Sequence, residues 1–219
     1  MTAARVARGV GGLVLAAGGG RRFGGPKALA VVEGRRLVDR AAGLLRAGGC
    51  APVVVVLGAA VVAVPDADAV VVNERWAEGM GSSLRAGLAA PELAGCSAVV
   101  VVLVDQPDLA AAAVRHLLDA HVAGATLATA TYGGERGHPV LLGQEHWAAV
   151  AVAAVGDVGA RPYLESHRDQ VVEVACDDAG DPGDVDTVAA LARRGGQLGG
   201  QPTATDVGSD VTPSPRPPG

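Results

Sequence analysis

Short, nearly continuous apolar runs rich in valine alternate along the chain with Ala/Leu/Arg segments whose apolar positions recur every three or four residues. The apolar runs predict strands over Gly11–Ala16, Val53–Leu57, Ala69–Val72, Ala98–Val104, Leu127–Thr131, Val140–Leu142 and Gln170–Ala175. The periodic segments predict helices over Leu37–Ala47, Ser82–Ala90, Leu109–Val122, Gln144–Val155 and Thr187–Arg194. A run such as Val99–Val104 has no polar face, as a strand covered on both sides requires. The alternation therefore reads as βαβ units around a mostly parallel sheet. In such sheets ligands sit beyond the carboxyl ends of the strands, so chemistry is sought in the residues that follow each strand.

Composition fixes the scale. A chain of 219 residues with 49% hydrophobic and 19% charged residues can build one core, here of Ala and Val with only 2% aromatics. Gly195–Gly219 differs: six Gly, five Pro and no aromatic give it too little apolar surface to offset its ordering entropy. The expected organisation is a domain over 1–194 and a disordered tail over 195–219, whose deletion should change little. A net charge of -5 gives no uniform basic field, so nucleic acid is not an expected partner and any anion site must be local. The longest apolar stretch, Ala51–Val64, is broken by Pro52 and Gly58 and falls short of the ~20 residues of a membrane span. Arg5 and Arg8 precede an apolar segment, but Leu13–Ala17 runs straight into glycines and reads as a first strand. Cys50, Cys96 and Cys176 lack metal or disulfide spacing, which fits small core residues in a reducing cytoplasm.

Leu13–Leu29, LVLAAGGGRRFGGPKAL, empties a buried strand into a loop with five glycines, Arg21, Arg22 and Lys27, the only lysine of the chain. Glycines let backbone N–H groups approach an anion, and the cations beside them suit a polyphosphate. A Walker A loop would need Gly-Lys followed by a hydroxyl residue, and a dinucleotide fingerprint would need a glycine where Phe23 stands, so both are poor matches. Asp105 ends the most apolar strand, where a carboxylate can hold a divalent cation that bridges phosphates, while Asp108 is better placed to cap the next helix. After another strand come Asn73, Gly79, Gly81, Ser82 and Ser83, with either serine suited to cap a helix whose N-terminal amides could face a ligand. His138, between Gly137 and Pro139, is a contact to a second substrate or a turn residue. Asp157 and Arg161 bind substrate or pair with each other, and Asp186 is a helix cap or a second metal carboxylate. His116, His121, His146 and His167 read as surface or packing residues, and neither a nucleophile elbow nor a Cys/His nucleophile is present.

These blocks, LAAGGGRRFGGPKAL, NERWAEGMGSSLRAGL, VVVLVDQPDL, RGHPVLL, GDVGARPYL and DVDT, resemble the molybdenum cofactor cytidylyltransferase branch of the MobA-like nucleotidyltransferases over about residues 10–194. The resemblance implies a Rossmann-like, glycosyltransferase-A type α/β fold of three layers. The implied reaction transfers CMP from CTP to the terminal phosphate of molybdopterin, releasing pyrophosphate. It implies nucleotide contacts from Ala16, Ala17, Gly18, Gly20, Lys27, Asn73, Ser82, Ser83 and Asp105, and catalysis by Arg22, Lys27 and Asp105. Acceptor contacts fall to His138, Asp157 and Arg161, and Mg2+ or Mn2+ to Asp105 with Asp186. The family pattern LAAGxSxRMGxxK is matched except that Gly20 replaces Ser and Phe23 replaces Met. Ala17 in LAAG is similar to the CTP-using members, where guanylyltransferase relatives carry LAGG. A transient contact with a molybdenum hydroxylase would follow from such a product. Two alternatives stay open: a nucleotidyltransferase for another phosphorylated acceptor, such as a sugar phosphate, methylerythritol phosphate or phospholactate, and a non-catalytic cofactor chaperone.

Overall fold

The computed structural model describes residues 9–199 and 211–213. In chain order the strands are β1 (Val10–Leu15), β2 (Val31–Val32), β3 (Arg35–Arg36), β4 (Val53–Leu57), β5 (Ala69–Val72), β6 (Ala98–Leu103), β7 (Leu127–Tyr132), β8 (Glu135–Gly143), β9 (Val171–Ala175) and β10 (Val211–Pro213). The helices are α1 (Leu37–Gly48), α2 (Met80–Leu88), α3 (Ala111–Val122), α4 (Trp147–Ala153), α5 (Arg161–Ser166) and α6 (Val188–Arg193). One sheet has the order β10-β5-β4-β1-β6-β8-β7-β9, and β2 and β3 form a separate antiparallel pair. Within the large sheet only β8 runs against its neighbours, β6 and β7.

Successive strand residues point to opposite faces, and the valine runs feed two separate apolar layers. Val14, Val53, Val55, Leu57, Val100 and Val102 pack with α1, α3 and α6 on one side. Leu13, Leu15, Val54, Val56, Val99 and Val101 pack with α2, α4 and α5 on the other. This is the three-layer α/β architecture expected from the strand pattern. The three cysteines are buried and free, and burial first of all pushes the thiols of Cys50 and Cys176 up to about 12 and about 11, so both stay protonated core groups. Among the described residues no helix is long and apolar enough to cross a membrane.

The expected strand at Val140–Leu142 is longer, because Gly133 and Gly134, at φ 57° and 83°, close a tight turn that returns Glu135–Gly137 beside β7. Between the pairs Thr129–Val140 and Ala130–Gly137 the register slips, leaving His138 and Pro139 in a bulge. Proline has no N–H to lose from the ladder there. Helix caps also differ from expectation. Asp108 pairs with Arg194 instead of capping α3, whose cap position is Ala110. Ser82 and Ser83 lie inside α2, which Gly79 precedes.

The boundary drawn at residue 194 falls too early. Gln197 and Val31 exchange backbone hydrogen bonds, each of 2.8 Å. Gly199 lies so close to the Leu29 carbonyl that a Cβ there would overlap it. Val211–Pro213 adds a parallel edge to β5, and residues 200–210 and 214–219 of the expected tail lie outside the described residues. Backbone pairing needs no apolar side chains, so composition could not reveal it. At about 1 kcal/mol net for each hydrogen bond, a chain ending at Arg194 should melt about 4–8 °C below one ending at Gly199. Scanning calorimetry of the two truncations measures this, and equal melting temperatures would mean that Gly195–Gly199 adds no stability.

Candidate active site

The carboxyl ends of β1, β4, β5 and β6 meet at one edge of the sheet, and the glycine loop leaves β1 there. Ala16 N–H donates to the Val56 carbonyl at 2.9 Å, and Ala59 N–H donates to Ala17 O at 3.0 Å, fixing the loop's entry. Gly20 then turns the chain with φ 58°, and its carbonyl accepts from the N–H groups of Phe23, Gly24 and Gly25 at 2.9, 2.9 and 3.2 Å. A Cβ at Gly20 would overlap the Gly25 carbonyl, so this left-handed turn requires glycine. Phe23 is buried and anchors the loop's far side, and Lys27 opens a single 3-10 turn, Lys27–Leu29.

Lys27 Nζ lies 2.8 Å from Asp105 Oδ2 and 2.7 Å from Asp186 Oδ1. Burial lowers the affinity of its amine for a proton, but the two carboxylates more than offset this and hold the ammonium above its ordinary pKa. Lys27 in turn holds Asp186 below the usual carboxylate range, and the nearby Arg22 adds to the effect. Asp186 does not cap α6: Thr187 does, accepting from Ala190 N–H at 3.1 Å. The loop carrying Asp186 is laced to the end of β6, since Val185 N–H donates to Asp105 O at 2.8 Å and Gln106 Nε2 to Pro182 O at 2.9 Å. Asp184 joins this group, its carboxyl raised by burial and then by Asp105 and Asp186.

Among the described residues no group of three or more His, Cys, Asp or Glu side chains forms a preformed metal centre. Nevertheless, Asp105 and Asp186 converge on one cationic nitrogen, and Asp105 Oδ1 is buried without a hydrogen-bond partner among the described residues. Two carboxylates and a spare oxygen fit a hard divalent ion that draws its remaining ligands from water and phosphate.

A cavity of about 380 Å³ opens above these charges, walled by Ala17–Arg21, Lys27, Trp76, Ala77, Ser83, Asp105 and Asp157. Of the expected nucleotide contacts, Ala17, Gly18, Gly20, Lys27, Ser83 and Asp105 line it, whereas Ala16, Asn73 and Ser82 stand behind. Asn73 is buried, and its Nδ2 donates to Ser82 Oγ at 2.8 Å and Ser83 Oγ at 3.0 Å, while its Oδ1 accepts from Arg75 N–H. Asn73 thus braces the start of α2. Both loop arginines are exposed; Arg21 lines the cavity, while Arg22 lies near Asp186. The lining residue Trp76, and Asp184 behind it, were not singled out from sequence. The lone aromatic in NERWAEGMG was a usable signal for Trp76.

A second cavity, of about 840 Å³, shares Leu15, Met80, Leu103 and Asp157 with the first. His138, Asp157 and Arg161 all line it. The bulge in β8 sets His138 in this wall, with its carbonyl accepting from Tyr132 Oη at 3.0 Å. Among the described residues Asp157 and Arg161 form no salt bridge with each other, so both remain available to a ligand. His146 holds α5 by bonding to Tyr163 Oη at 2.9 Å and Thr126 Oγ1 at 3.0 Å, a packing role.

The sequence model of the MobA-like NTP transferase domain matches residues 12–172. The nicotine blue oxidoreductase of Paenarthrobacter nicotinovorans is 41% identical over 195 residues, covering 84% of this chain and 95% of that protein. The crystal structure of Rv0371c from Mycobacterium tuberculosis superposes with a TM-score of 0.72 at 29% identity, covering 84% of this chain and 97% of that one. Its manganese complex gives 0.68 at 28% identity, over 86% and 98%. The 2-C-methyl-D-erythritol 4-phosphate cytidylyltransferase of Thermus thermophilus shares the fold, with a TM-score of 0.61 at 19% identity over 85% and 97% of the two chains.

Two outcomes follow from this geometry. Gly20→Ala should destabilise the protein by about 1–3 kcal/mol, because a side chain must enter a left-handed turn already filled by a carbonyl; urea unfolding measures it, and a change below a few tenths would refute the requirement. Burial, reinforced by Arg161 and opposed by Asp105, brings the His138 imidazole down to about 4, against about 6.5 in an unfolded chain. The folded state therefore binds fewer protons between these values. The contribution of neutral His138 is complete above pH 6.5 and lost as the pH falls toward 4. His138→Gln should lose less stability between pH 7 and pH 4.5 than the wild type, and equal losses in urea midpoint would contradict it.

Proposed function

The chain belongs to the MobA-like NTP transferase domain family, and from that premise we propose that it transfers CMP from CTP to the terminal phosphate of a molybdopterin-type acceptor. The observation that carries this reading is the bridge from Lys27 to both Asp105 and Asp186 beneath a glycine loop, with a second, larger cavity opening next to it. Ala17 in the LAAG block supports cytidine, and the GHP and GDVGAR blocks, which supply His138, Asp157 and Arg161 to the wall of the larger cavity, add support for the CTP-using branch.

Loop amides, Arg21 and Lys27 bind the triphosphate, and Lys27 balances charge that develops on departing pyrophosphate. Asp105 and Asp186 would hold a divalent cation, magnesium or manganese, which neutralises the triphosphate and polarises the phosphorus under attack. His138, neutral at physiological pH, and Arg161 orient the acceptor so that its phosphate oxygen approaches across the wall marked by Asp157. A phosphate is already ionised, so no protein nucleophile is required and catalysis rests on position and charge.

The identity to nicotine blue oxidoreductase motivates a second reading, a redox activity of the kind named for that relative. The two separate cleanly: the first predicts release of pyrophosphate from CTP, faster than from GTP or ATP, only when acceptor is added. The second predicts bleaching of nicotine blue with a supplied nicotinamide reductant and no pyrophosphate. Under the first reading Asp105→Asn should lose about a thousandfold or more in turnover while still folding. Lys27→Arg should also lose most activity, because a planar guanidinium cannot replace a compact ammonium held between two carboxylates. Wild-type turnover in either variant, or metal dependence unchanged in Asp105→Asn, would overturn the assignment.

A further inference from the structure

We propose that Trp76 is the platform on which the base of the nucleotide stacks; this rests on the reading of the smaller cavity as the nucleotide site. Trp76 opens a 3-10 turn, Trp76–Glu78, and is the only aromatic residue in the wall of that cavity. Two glycines clear a seat for its indole. A Cβ at Gly19 would lie 2.9 Å from Cζ3 of the ring, and one at Gly58 would lie 2.5 Å from the tryptophan's own Cβ. The glycine loop thus supports the ring with bare backbone and leaves it at the cavity.

In a chain this poor in aromatics, the others are absorbed by packing. Phe23 is buried, Trp147 Nε1 donates to Leu142 O at 2.9 Å, Tyr132 Oη donates to His138 O, and Tyr163 Oη meets His146. Trp76 and Tyr132 are both partly exposed, but the Tyr132 hydroxyl is bonded, whereas the Trp76 indole N–H has no hydrogen-bond partner among the described residues. Trp76 packs on the apolar core with one side and leaves part of its ring at the cavity, a good stacking surface. Its turn is also rigid: Trp76 N–H donates to Asn73 O at 3.2 Å, and Asn73 is itself fixed by Ser82 and Ser83. This gives the buried asparagine a function at one remove, since it holds the platform without touching the ligand. Every base has a π-face, so Trp76 supplies affinity to CTP, GTP and ATP alike, and choice among them lies elsewhere in the wall.

Nucleotide binding by the full chain, read by calorimetry and tryptophan fluorescence with Mg2+ or Mn2+ present, tests this, with inorganic tripolyphosphate as a probe that lacks a base. CTP should quench the wild-type emission and tripolyphosphate should not. In Trp76→Phe, affinity for CTP should stay within about threefold, and the remaining emission, from Trp147, should not respond. In Trp76→Ala, CTP should bind about tenfold or more weakly while tripolyphosphate binds as before, which also certifies that the loop is folded. Unchanged CTP affinity in Trp76→Ala, or an equal loss for CTP and tripolyphosphate, would overturn the platform and leave the nucleotide site standing. Failure of the wild type to bind any nucleotide would remove both.

Discussion

A single ammonium holds together two carboxylates that the chain supplies 78 and 159 residues away from it. The two bonds are not equivalent. Lys27 and Asp105 are largely buried, at 17% and 19% side-chain exposure, whereas Asp186 is 66% exposed and its bond is screened by water. The inner pair therefore anchors the site, and Asp186 is the partner that can let go. Without the lysine, Asp105, Asp184 and Asp186 would repel one another across a short gap. With it, they gather into an acidic floor beside the glycine loop.

Much of the surrounding structure serves to keep that floor in register. Two features of β6 dictate it: the strand is apolar on both faces, so it is central, and it ends at Asp105. The loop from Cys176 to Asp186 is then stitched to residues 105–110 by backbone pairs, among them Ala110 N–H to Ala179 O at 2.9 Å and Val185 N–H to Asp105 O at 2.8 Å. Gly180, with φ 93°, allows this approach, because a side chain there would strike the Asp108 carbonyl. On the other side of the cavity, Gly79 and Gly81 let the start of α2 lie against the backbone at Ala154 and Gly156. That contact brings Asp157 to the wall between the two cavities. The antiparallel strand β8, with its bulge at His138 and Pro139, completes the larger cavity, so one irregular strand in a regular sheet shapes its wall.

The sequence alone determined the layered α/β fold, the extents of most strands and helices, and the glycine loop, Lys27 and Asp105 as the candidate residues that the fold brings together. Those features depend on local pattern: valine runs too apolar to face water, helical spacing, and a lone lysine among glycines. Tertiary structure decided what depends on distance along the chain. It chose between cap and carboxylate for Asp186, because Thr187 takes the cap and Lys27 reaches across the sheet edge. It set Asn73, Ser82 and Ser83, expected as nucleotide contacts or caps, into a buried brace, with only Ser83 reaching the cavity. It set Arg21 in the cavity wall with Arg22 near Asp186, and it paired Asp108 with Arg194 rather than with a helix end. It also drew Gly195–Gly199 onto Val31 through backbone hydrogen bonds. The physical reason is the same in each case: periodicity and composition report which side chains avoid water, whereas a polar group's partner, or a backbone's, is fixed only when the fold brings distant segments within bonding distance.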